Sequence, residues 1–320
     1  MKKIIIVSGD PNSINSEIIF KSWKKINKSI KKSIYVISNF NLLKSQFKKL
    51  RYKIQIVKVK SINEKEDKSD LKIIDVKLNY KNSFKVPNKL SSDFIIKSLN
   101  IAHKLSKNKN ISGIINCSIN KNLLKKSKIG VTEFFASKCG LKDSSEAMLI
   151  WNKNLSVSPI TTHLDIKDVS RNLKKQLIIN KVNTINFWFR KKFKRKPRIA
   201  LLGLNPHNAE FRKNSEENKI IIPAINELKK LKIYVKGPLV ADTIFIKDYK
   251  NFDVIVGMYH DQVIAPFKSI FKFDAVNITL GLKYLRVSPD HGTAIDLIGK
   301  NKANIQSFLQ CIKVINKFGP

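Results

Sequence analysis

Short apolar runs alternate along the chain with longer amphipathic segments studded with lysine. Runs of about five residues that are rich in Ile and Val are typical of buried strands, whereas apolar positions three or four apart are typical of helices. We predict strands at Lys3–Val7, Ser33–Ile37, Gly113–Cys117, Arg198–Gly203, Lys232–Val235, Val254–Met258 and Ala275–Thr279. We predict helices at Ser16–Lys25, Phe40–Lys49, Ser91–Ser106, Val131–Cys139, Glu216–Leu231 and Ile305–Asn316.

This alternation of strands and helices predicts an α/β fold with a largely parallel sheet. Residues 55–90 have weak periodicity, and we predict strands and loops at the edge of that sheet. Such sheets bind ligands in loops beyond the carboxyl ends of the strands. Three loops in those places carry unusual residues: Gly9-Asp10-Pro11, Asn205-Pro206-His207 and Tyr259-His260-Asp261-Gln262. The sequence has no Gly-rich signature of a Rossmann or P-loop nucleotide site.

The composition places the chain among globular proteins. Its 320 residues are 42% hydrophobic, enough for a large core in one or two domains. No apolar run approaches the roughly 20 residues that span a bilayer, and Lys3–Val7 reads as a first buried strand rather than a signal peptide. Three widely spaced cysteines, Cys117, Cys139 and Cys311, fit reduced thiols. We therefore expect a cytoplasmic protein that has no membrane partner.

The net charge of +38 raises the question of a nucleic-acid partner. Only seven of the 62 basic residues are Arg, the side chain best suited to phosphates and base edges. The lysines are spread among many Ile and Asn residues, which favours compositional drift. The densest basic cluster, 190–196, is predicted to be a solvated linker before a strand. We expect no nucleic-acid partner, and a basic nucleic-acid-binding protein remains the alternative from another class.

The five histidines divide into one helical and four loop residues. His103 lies within a predicted helix, and we expect it to be structural. The loop residues His163, His207, His260 and His291 are candidates for ligand binding or acid–base chemistry. Three imidazoles and an open position would suit a catalytic divalent metal such as zinc. Because the spacing between these residues is long, the sequence alone does not show that the rings converge, and separate roles are favoured over a shared metal site at this stage.

Seven short motifs follow one another in an order that resembles the 4-hydroxythreonine-4-phosphate dehydrogenase family of vitamin B6 synthesis. They are Gly9-Asp10-Pro11, Thr161-Thr162-His163-Leu164, Gly203-Leu204-Asn205-Pro206-His207, Gly237-Pro238-Leu239-Val240-Ala241-Asp242-Thr243, Met258-Tyr259-His260-Asp261-Gln262, Val276-Asn277-Ile278-Thr279-Leu280-Gly281-Leu282 and Asp290-His291-Gly292-Thr293-Ala294. The resemblance covers nearly the whole chain and is densest from 159 to 305. Each motif alone is weak, but seven in register are very specific.

The resemblance implies a fold like that of the isocitrate and isopropylmalate dehydrogenases, with two α/β/α halves around a central cleft. The first domain would comprise residues 1–130 and 288–320 and carry the cofactor loop at 290–294. The second, residues 131–287, would carry the metal motifs, the substrate motifs and the dimer contacts. The resemblance also implies a homodimer whose active site is shared between protomers.

The resemblance assigns roles to individual residues. The metal ligands would be His163, His207 and His260, holding a divalent ion (Zn, Mg or Co). The phosphorylated substrate would be bound by Thr132, Lys268, Asn277 and Arg286. NAD, with NADP as the alternative, would lie on a small-residue loop formed by His291, Gly292, Thr293 and Ala294. Asp242 and Asp261 are candidates to orient a ligand histidine or to relay the proton.

The chemistry implied by this resemblance is an oxidation followed by a decarboxylation. NAD would take a hydride from the carbinol carbon of 4-phosphooxy-L-threonine. The metal would polarise the oxygen and stabilise the enolate left by loss of carbon dioxide. The product implied by the family is 3-amino-2-oxopropyl phosphate.

Several positions depart from the family pattern. Ser13 and Asn15 replace two glycines of the first loop, and Asn116-Cys117-Ser118 replaces Thr-Gly-Pro. Val131 stands where the family has a substrate-contacting His, and it cannot donate a hydrogen bond. These changes fall on the substrate side. They fit either a drifted family member or a related dehydrogenase of another phosphorylated hydroxy acid, such as 4-phosphothreonate or 4-phosphoerythronate.

Overall fold

A computed structural model of the chain describes residues 2–64, 70–127, 130–141 and 145–319. The chain forms two compact units. The first unit combines Met1–Lys138 with Lys283–Pro320, and the second unit is Cys139–Leu282. Thr132 and Arg286 both lie in the first unit. The domain boundaries expected from the sequence, 130/131 and 287/288, stay a prediction.

The strands within these residues are short and mostly buried. In chain order they are β1 Lys3–Val7, β2 Ile34–Ser38, β3 Ile56–Val59, β4 Leu71–Asp75, β5 Ile111–Asn116, β6 Ala147–Trp151, β7 Ser156–Pro159, β8 Ile199–Leu202, β9 Val235–Leu239, β10 Val254–Gly257, β11 Val276–Leu280 and β12 Arg286–Pro289. The predicted α/β fold is confirmed, and so are the edge strands expected between residues 55 and 90, which are β3 and β4.

The helices fill the connections between these strands. They are α1 Asn15–Lys25, α2 Lys28–Ser33, α3 Phe40–Lys49, α4 Asn88–Ser106, α5 Val131–Lys138, α6 Ile166–Asn172, α7 Lys175–Phe193, α8 Ile222–Lys230, α9 Ala241–Ile244, α10 His260–Phe271 and α11 Gln306–Phe318. A π turn, Glu217–Ile221, leads directly into α8. None of the helices searched in the described residues is long and apolar enough to cross a membrane.

The first unit contains a parallel sheet in the order β3-β4-β2-β1-β5-β12. The central strand β1 is an unbroken apolar run, and Ile4, Ile5 and Val7 are fully buried, as expected for a strand covered on both faces. Helices α4 and α11 pack on β5. Helix α3 begins where the Asn39 side chain accepts a hydrogen bond from the Leu42 N–H, a standard N-cap.

The second unit contains a mixed sheet in the order β11-β6-β7-β10-β8-β9. Strand β6 is antiparallel to β11 and β7, whereas β7, β10, β8 and β9 run parallel. Helix α10 packs on β7 and β10 through the buried side chains of Val263, Ile264 and Phe267. The four parallel strands therefore present their carboxyl ends at one edge, where a ligand site is expected.

The basic cluster at 190–196 is not the linker that the sequence predicted. Arg190, Lys191 and Lys192 form the last turn of α7, where cations interact favourably with the helix dipole. The helix ends at Phe193, and the capping residue after it, Lys194, adopts a left-handed conformation with φ of 57°. The next basic residue, Arg195, makes a two-pronged ion pair with Asp253, with distances of 2.8 and 2.9 Å. The cluster thus includes a helix terminus and a structural ion pair.

Strand β9 begins where the predicted strand Lys232–Val235 ends. Lys232 itself lies in the left-handed region, with φ of 58°, which is incompatible with a strand. The apolar signal at Ile233 comes from a buried connection between α8 and β9 rather than from the strand.

Candidate active site

The three candidate metal-binding histidines follow three adjacent parallel strands of the second unit. His163 follows β7, His260 follows β10 and His207 follows β8, and β10 lies between the other two. Backbone hydrogen bonds join the first two loops: the Ile160 N–H donates to Gly257 O at 2.8 Å, and the Thr161 N–H donates to Met258 O at 3.1 Å. The strand order thus places the three histidine loops side by side.

The structure brings two of the three imidazole rings together. The ring centroids of His163 and His260 are 6.0 Å apart, with the planes inclined by 34°. His207 lies exposed on the neighbouring loop after β8. Within the described ranges, no group of three or more His, Cys, Asp or Glu residues is arranged to hold a metal ion. The donor chemistry and strand order suit a divalent ion, but the three rings do not form an assembled coordination sphere.

His260 has a carboxylate beside its ring. It is the first residue of α10, and its Nδ1 lies 2.7 Å from Oδ1 of Asp261. A carboxylate accepts the Nδ1–H, so this contact assigns the proton to Nδ1 and leaves the Nε2 lone pair available as a ligand. Asp261 is therefore placed to orient the His260 ring.

Asp242 lies on a fourth loop at the same edge. It is in the first turn of α9, directly after β9, and β9 pairs with β8. Its side chain is exposed. The strand order places Asp242 beside the loop of His207 rather than beside His260.

The loop of His207 has an unusual backbone. Residues 207–211 all have positive φ angles, between 49° and 57°, and so form a left-handed turn without glycine. Each such residue is disfavoured for L-amino acids because Cβ approaches the following carbonyl. Nothing in the sequence pattern signalled this turn.

A buried carboxylate that the sequence analysis did not single out contacts this loop. Glu217, in the π turn, is fully buried, and its Oε1 accepts hydrogen bonds from the N–H groups of Leu204 and Asn205, both at 2.8 Å. Burial alone would raise the pKa of Glu217, but these backbone bonds and the amide of Asn205 outweigh it and lower the pKa below its usual value. Glu217 is thus held as a carboxylate.

The second unit also holds two candidate substrate residues. Lys268 lies exposed in the last turns of α10, and Asn277 lies on β11. The Oδ1 atom of Asn277 is buried and has no hydrogen-bond partner within the described part of the chain. A buried acceptor without a donor is costly, so this oxygen is suited to a ligand N–H or O–H.

The first unit holds the other two. Arg286 opens β12 and is 3% exposed. Its Nε donates to Oδ1 of Asn116 at 2.5 Å, and its Nη1 lies 3.5 Å from Oγ1 of Thr132. Burial lowers the pKa of Arg286 to about 10, so the guanidinium remains charged at neutral pH. The structure brings Arg286 and Thr132 together and adds Asn116, which the sequence analysis noted only as a departure.

The predicted cofactor loop also lies in the first unit. The Nδ1 of His291 is 2.9 Å from Gly292 O and 3.0 Å from Oγ of Ser118. Because a carbonyl only accepts, Nδ1 carries the proton, and burial lowers the pKa of the ring so that it stays neutral. The buried Nε2 atom has no partner among the residues described. A Cβ added at Gly292 would meet nothing within 4 Å. The loop fits a ligand that approaches its backbone and donates a hydrogen bond.

The altered first loop has replaced glycine with a hydrogen-bonding side chain. Nδ2 of Asn15 donates to Ser8 O at 2.9 Å and to Ser118 O at 2.8 Å, and its Oδ1 accepts from Ser118 Oγ at 3.1 Å. Asp10 in the same loop is buried, and burial raises the pKa of its carboxyl. Asn15 therefore ties the loop after β1 to the loop after β5.

Comparison with known proteins extends these observations. The family described as pyridoxal phosphate biosynthetic protein PdxA matches residues 30–315. The chain belongs to this family. A 4-hydroxythreonine-4-phosphate dehydrogenase of Sulfurihydrogenibium sp. (strain YO3AOP1) is 38% identical over 323 residues, covering 98% of this chain and 97% of the relative. The counterpart from Aquifex aeolicus (strain VF5) is 39% identical over 328 residues, with the same coverage of both chains.

Solved structures share the fold of this chain. The crystal structure of 4-hydroxythreonine-4-phosphate dehydrogenase from Klebsiella pneumoniae matches with a TM-score of 0.85 and 27% identity, covering 99% of each chain. An isocitrate dehydrogenase from Methylococcus capsulatus matches with a TM-score of 0.50 and 10% identity, covering 98% of this chain and 85% of that one, which shows the fold alone. The predicted fold class and PdxA family membership are confirmed, and the chain is a dehydrogenase of pyridoxal phosphate biosynthesis.

Proposed function

We propose that the chain catalyses the NAD- and divalent-metal-dependent oxidation and decarboxylation of 4-phosphooxy-L-threonine to 3-amino-2-oxopropyl phosphate. The observation that carries this proposal is the position of His163, His260 and His207 on loops after three adjacent parallel strands. Family membership supports the substrate, since the relatives cited above are named for it.

His163, His207 and His260 would hold the metal, and Asp261 would orient the ring of His260. A bound divalent ion would supply Lewis-acid polarisation of the substrate's hydroxyl oxygen. Asp261 accepts the Nδ1 proton of His260 in a hydrogen bond, which would leave the lone pair of Nε2 available to a metal. Asp242, on the adjacent edge loop, is the candidate to receive or return a proton, because it is exposed and free to exchange with water.

The cofactor would lie on the loop of residues 290–294 in the first unit. NAD supplies the hydride acceptor when bound. The neutral ring of His291 offers Nε2 as a hydrogen-bond acceptor. The open space at Gly292 would let the cofactor reach the backbone of the loop, and Thr293 and Ala294 are the next two residues of that loop. NADP is the alternative cofactor for the same loop.

The phosphorylated substrate would be held by four side chains. Arg286 supplies a charged guanidinium, Thr132 a hydroxyl beside it, Lys268 an ammonium and Asn277 an unsatisfied buried carbonyl oxygen. Guanidinium groups match phosphate and carboxylate oxygens in pairs. We further propose a homodimer with a shared active site, its contacts supplied by the second unit, and a measurement of mass in solution by light scattering tests that assembly.

Val131 favours a second candidate, a dehydrogenase of a related phosphorylated hydroxy acid such as 4-phosphothreonate or 4-phosphoerythronate. This residue opens α5 next to Thr132 and cannot form the hydrogen bond that the family His makes. The test is NADH formation by the purified chain with zinc, magnesium or cobalt and each of the three esters. Turnover of 4-phosphooxy-L-threonine above the other two supports the first candidate. Preference for another ester supports the second, and no turnover with any ester contradicts both.

A further inference from the structure

The loops after β1 and β5 both bond the predicted cofactor loop of the first unit. In the backbone, the Ile14 N–H donates to Thr293 O at 3.1 Å. Among the side chains, Oγ of Ser118 lies 3.0 Å from Nδ1 of His291, and Ser118 in turn bonds Asn15. All five residues belong to the same unit. The cofactor loop is therefore held from outside at two points, one in its backbone and one at the ring of His291.

The partners of Asn15 fix the orientation of its amide. Nδ2 lies 2.9 Å from Ser8 O and 2.8 Å from Ser118 O, and both are backbone carbonyls, which only accept. The nitrogen must therefore face these two oxygens, which leaves Oδ1 3.1 Å from Oγ of Ser118. Because an amide oxygen only accepts, the hydroxyl of Ser118 donates its proton to Asn15.

The same reasoning assigns the proton on the ring of His291. Ser118 has one hydroxyl proton and gives it to Asn15, so its oxygen can only accept from the ring. Nδ1 lies 3.0 Å from this oxygen and 2.9 Å from Gly292 O, and it therefore carries a proton shared between two acceptors. Nε2 keeps its lone pair and is buried without a partner among the residues described. We call this series of bonds the tautomer chain (Asn15, Ser118 and His291).

The residues expected from the family pattern could not form the tautomer chain. Asn15 stands in place of a glycine, which has no side chain, and Ser118 stands in place of a proline, which has no hydroxyl. The chain also requires a close approach at Gly9, where an added Cβ would lie 2.5 Å from Ser118 O and 2.7 Å from Nδ2 of Asn15. Gly9 has φ of 74°, a conformation that favours glycine. The two replacements thus act on one another and on one conserved turn geometry.

We infer that Asn15 and Ser118 are positioning residues that hold the cofactor loop and keep His291 in its Nδ1–H form for binding of a nicotinamide dinucleotide. Neither side chain is proposed to touch the cofactor, and this inference rests on the cofactor site of the proposed function. A dinucleotide carries hydroxyl and amino donors, which a lone pair on Nε2 can accept. The other tautomer would place an N–H there, and two donors would then face one another without an acceptor.

The test joins two measurements on the full chain. Calorimetric titration gives the affinity for NAD, and ¹⁵N chemical shifts of histidine-labelled protein without cofactor report the tautomer. The chain has five histidines, so His291→Gln identifies the resonances of His291. Ser118→Ala removes the hydroxyl, and Asn15→Gly removes its acceptor. Each is expected to weaken NAD binding about fivefold, as for the loss of about one hydrogen bond, and to shift the two ring nitrogens toward a tautomer average.

A double variant separates one connected chain from two independent contacts. If Asn15 acts through Ser118, the combination of Asn15→Gly and Ser118→Ala loses about as much affinity as the larger single change. Losses that multiply to about 25-fold would overturn the inference, because independent contacts add in free energy. Ser118→Thr keeps a hydroxyl and is expected to retain both the affinity and the nitrogen shifts of the wild type.

The matched control is Asn39→Gly. Asn39 is also a buried asparagine of the first unit, but it bonds Leu42 N–H and Val76 O rather than the cofactor loop. It is expected to lower the thermal midpoint and to leave NAD affinity and the shifts of His291 unchanged. Circular dichroism and thermal unfolding establish that each variant is folded, and Ser118→Ala decides the matter if Asn15→Gly does not fold.

Two kinds of failure can be told apart. Unchanged nitrogen shifts or unchanged NAD affinity in Ser118→Ala and Asn15→Gly would overturn the inference and leave the proposed function intact, as would an equal loss in Asn39→Gly. A wild-type chain that binds neither NAD nor NADP would instead overturn the cofactor of the proposed function, and the role of Asn15 and Ser118 in its binding with it.

Discussion

The two units treat their candidate functional residues differently. In the second unit the histidines match the family motifs, and buried groups such as Glu217 hold their loops through the backbone. In the first unit the departures gather around the candidate ligand residues: Asn15 and Ser118 bond the loops near His291, and Asn116 bonds Arg286. The difference is one of local bonding: in the second unit a buried carboxylate holds the backbone of a histidine loop, whereas in the first unit side chains that depart from the expected motifs bond directly to the candidate ligand residues.

Replacing His260 by Ala is expected to have the largest effect, because it removes one of the three proposed metal ligands of the second unit. Loss of a metal ligand removes several kcal/mol of charge stabilisation, which corresponds to about 10³-fold in kcat. NADH formation at saturating substrate measures it. The matched control is His103→Gln, since His103 bonds Tyr284 in the first unit at 2.7 Å and is expected to affect stability rather than kcat. Similar kcat values for the two variants would contradict the proposal.

Replacing Arg286 by Lys tests the candidate substrate residues of the first unit. Lysine keeps the charge but loses the forked donors that reach Asn116 and Thr132, so we expect kcat/KM to fall about 30-fold, mainly through KM. Steady-state kinetics over a range of ester concentrations separates the two parameters. Arg195→Lys, at an exposed ion pair, is the control and should leave KM unchanged. A loss confined to kcat would show that Arg286 does not hold the ground-state substrate.

Replacing Val131 by His restores the family residue and sharpens the comparison. One added hydrogen bond contributes about 1 kcal/mol, so kcat/KM for 4-phosphooxy-L-threonine should rise about fivefold in a drifted family member. Val131→Leu, which adds bulk without a donor, serves as the control. No rise with this ester, together with a fall for 4-phosphothreonate or 4-phosphoerythronate, would favour the second candidate function.

The smallest expected effect is on thermal stability, and it concerns Asp253, which lies away from the candidate site residues and bonds Arg195 and Arg198. Burial would raise the pKa of Asp253, but hydrogen bonds from Arg195 and Arg198 outweigh it and hold the pKa below its usual value. A depressed carboxyl pKa contributes stability above the unfolded value, and that contribution is lost as pH falls through the folded value. The thermal midpoint of wild type should therefore exceed that of Asp253→Asn at neutral pH and approach it below about pH 4. A constant difference across this range would contradict the assignment.

Elements of the fold could be predicted where a short stretch of sequence carried the whole pattern of a strand or helix, including its ends. The predicted bounds of β1 and α3 match the structure because one is an uninterrupted apolar run and the other starts at an asparagine cap. Helix α10 escaped prediction because it opens on His260 and contains Pro266, residues that indicate a loop. Helix α7 escaped because its basic end resembles a solvated tail.

The candidate site divides in the same way. The loop histidines could be chosen from the sequence because imidazoles at strand ends carry a chemical meaning of their own. Glu217 could not, since Glu216 and Glu217 are adjacent and only the folded chain shows that the second is buried against Leu204. Asn116 was visible only as a departure, because its bond to Arg286 joins residues 170 positions apart.

The left-handed turn after β8 also limits how the sequence can diverge. Isoleucine is abundant in this chain, yet residues 207–211 contain no β-branched side chain. A second substituent on Cβ would add to a backbone penalty that is already about 1–2 kcal/mol per residue. A change to isoleucine, valine or threonine at any of these five positions therefore meets a stereochemical barrier that the extended strands of the same chain do not impose.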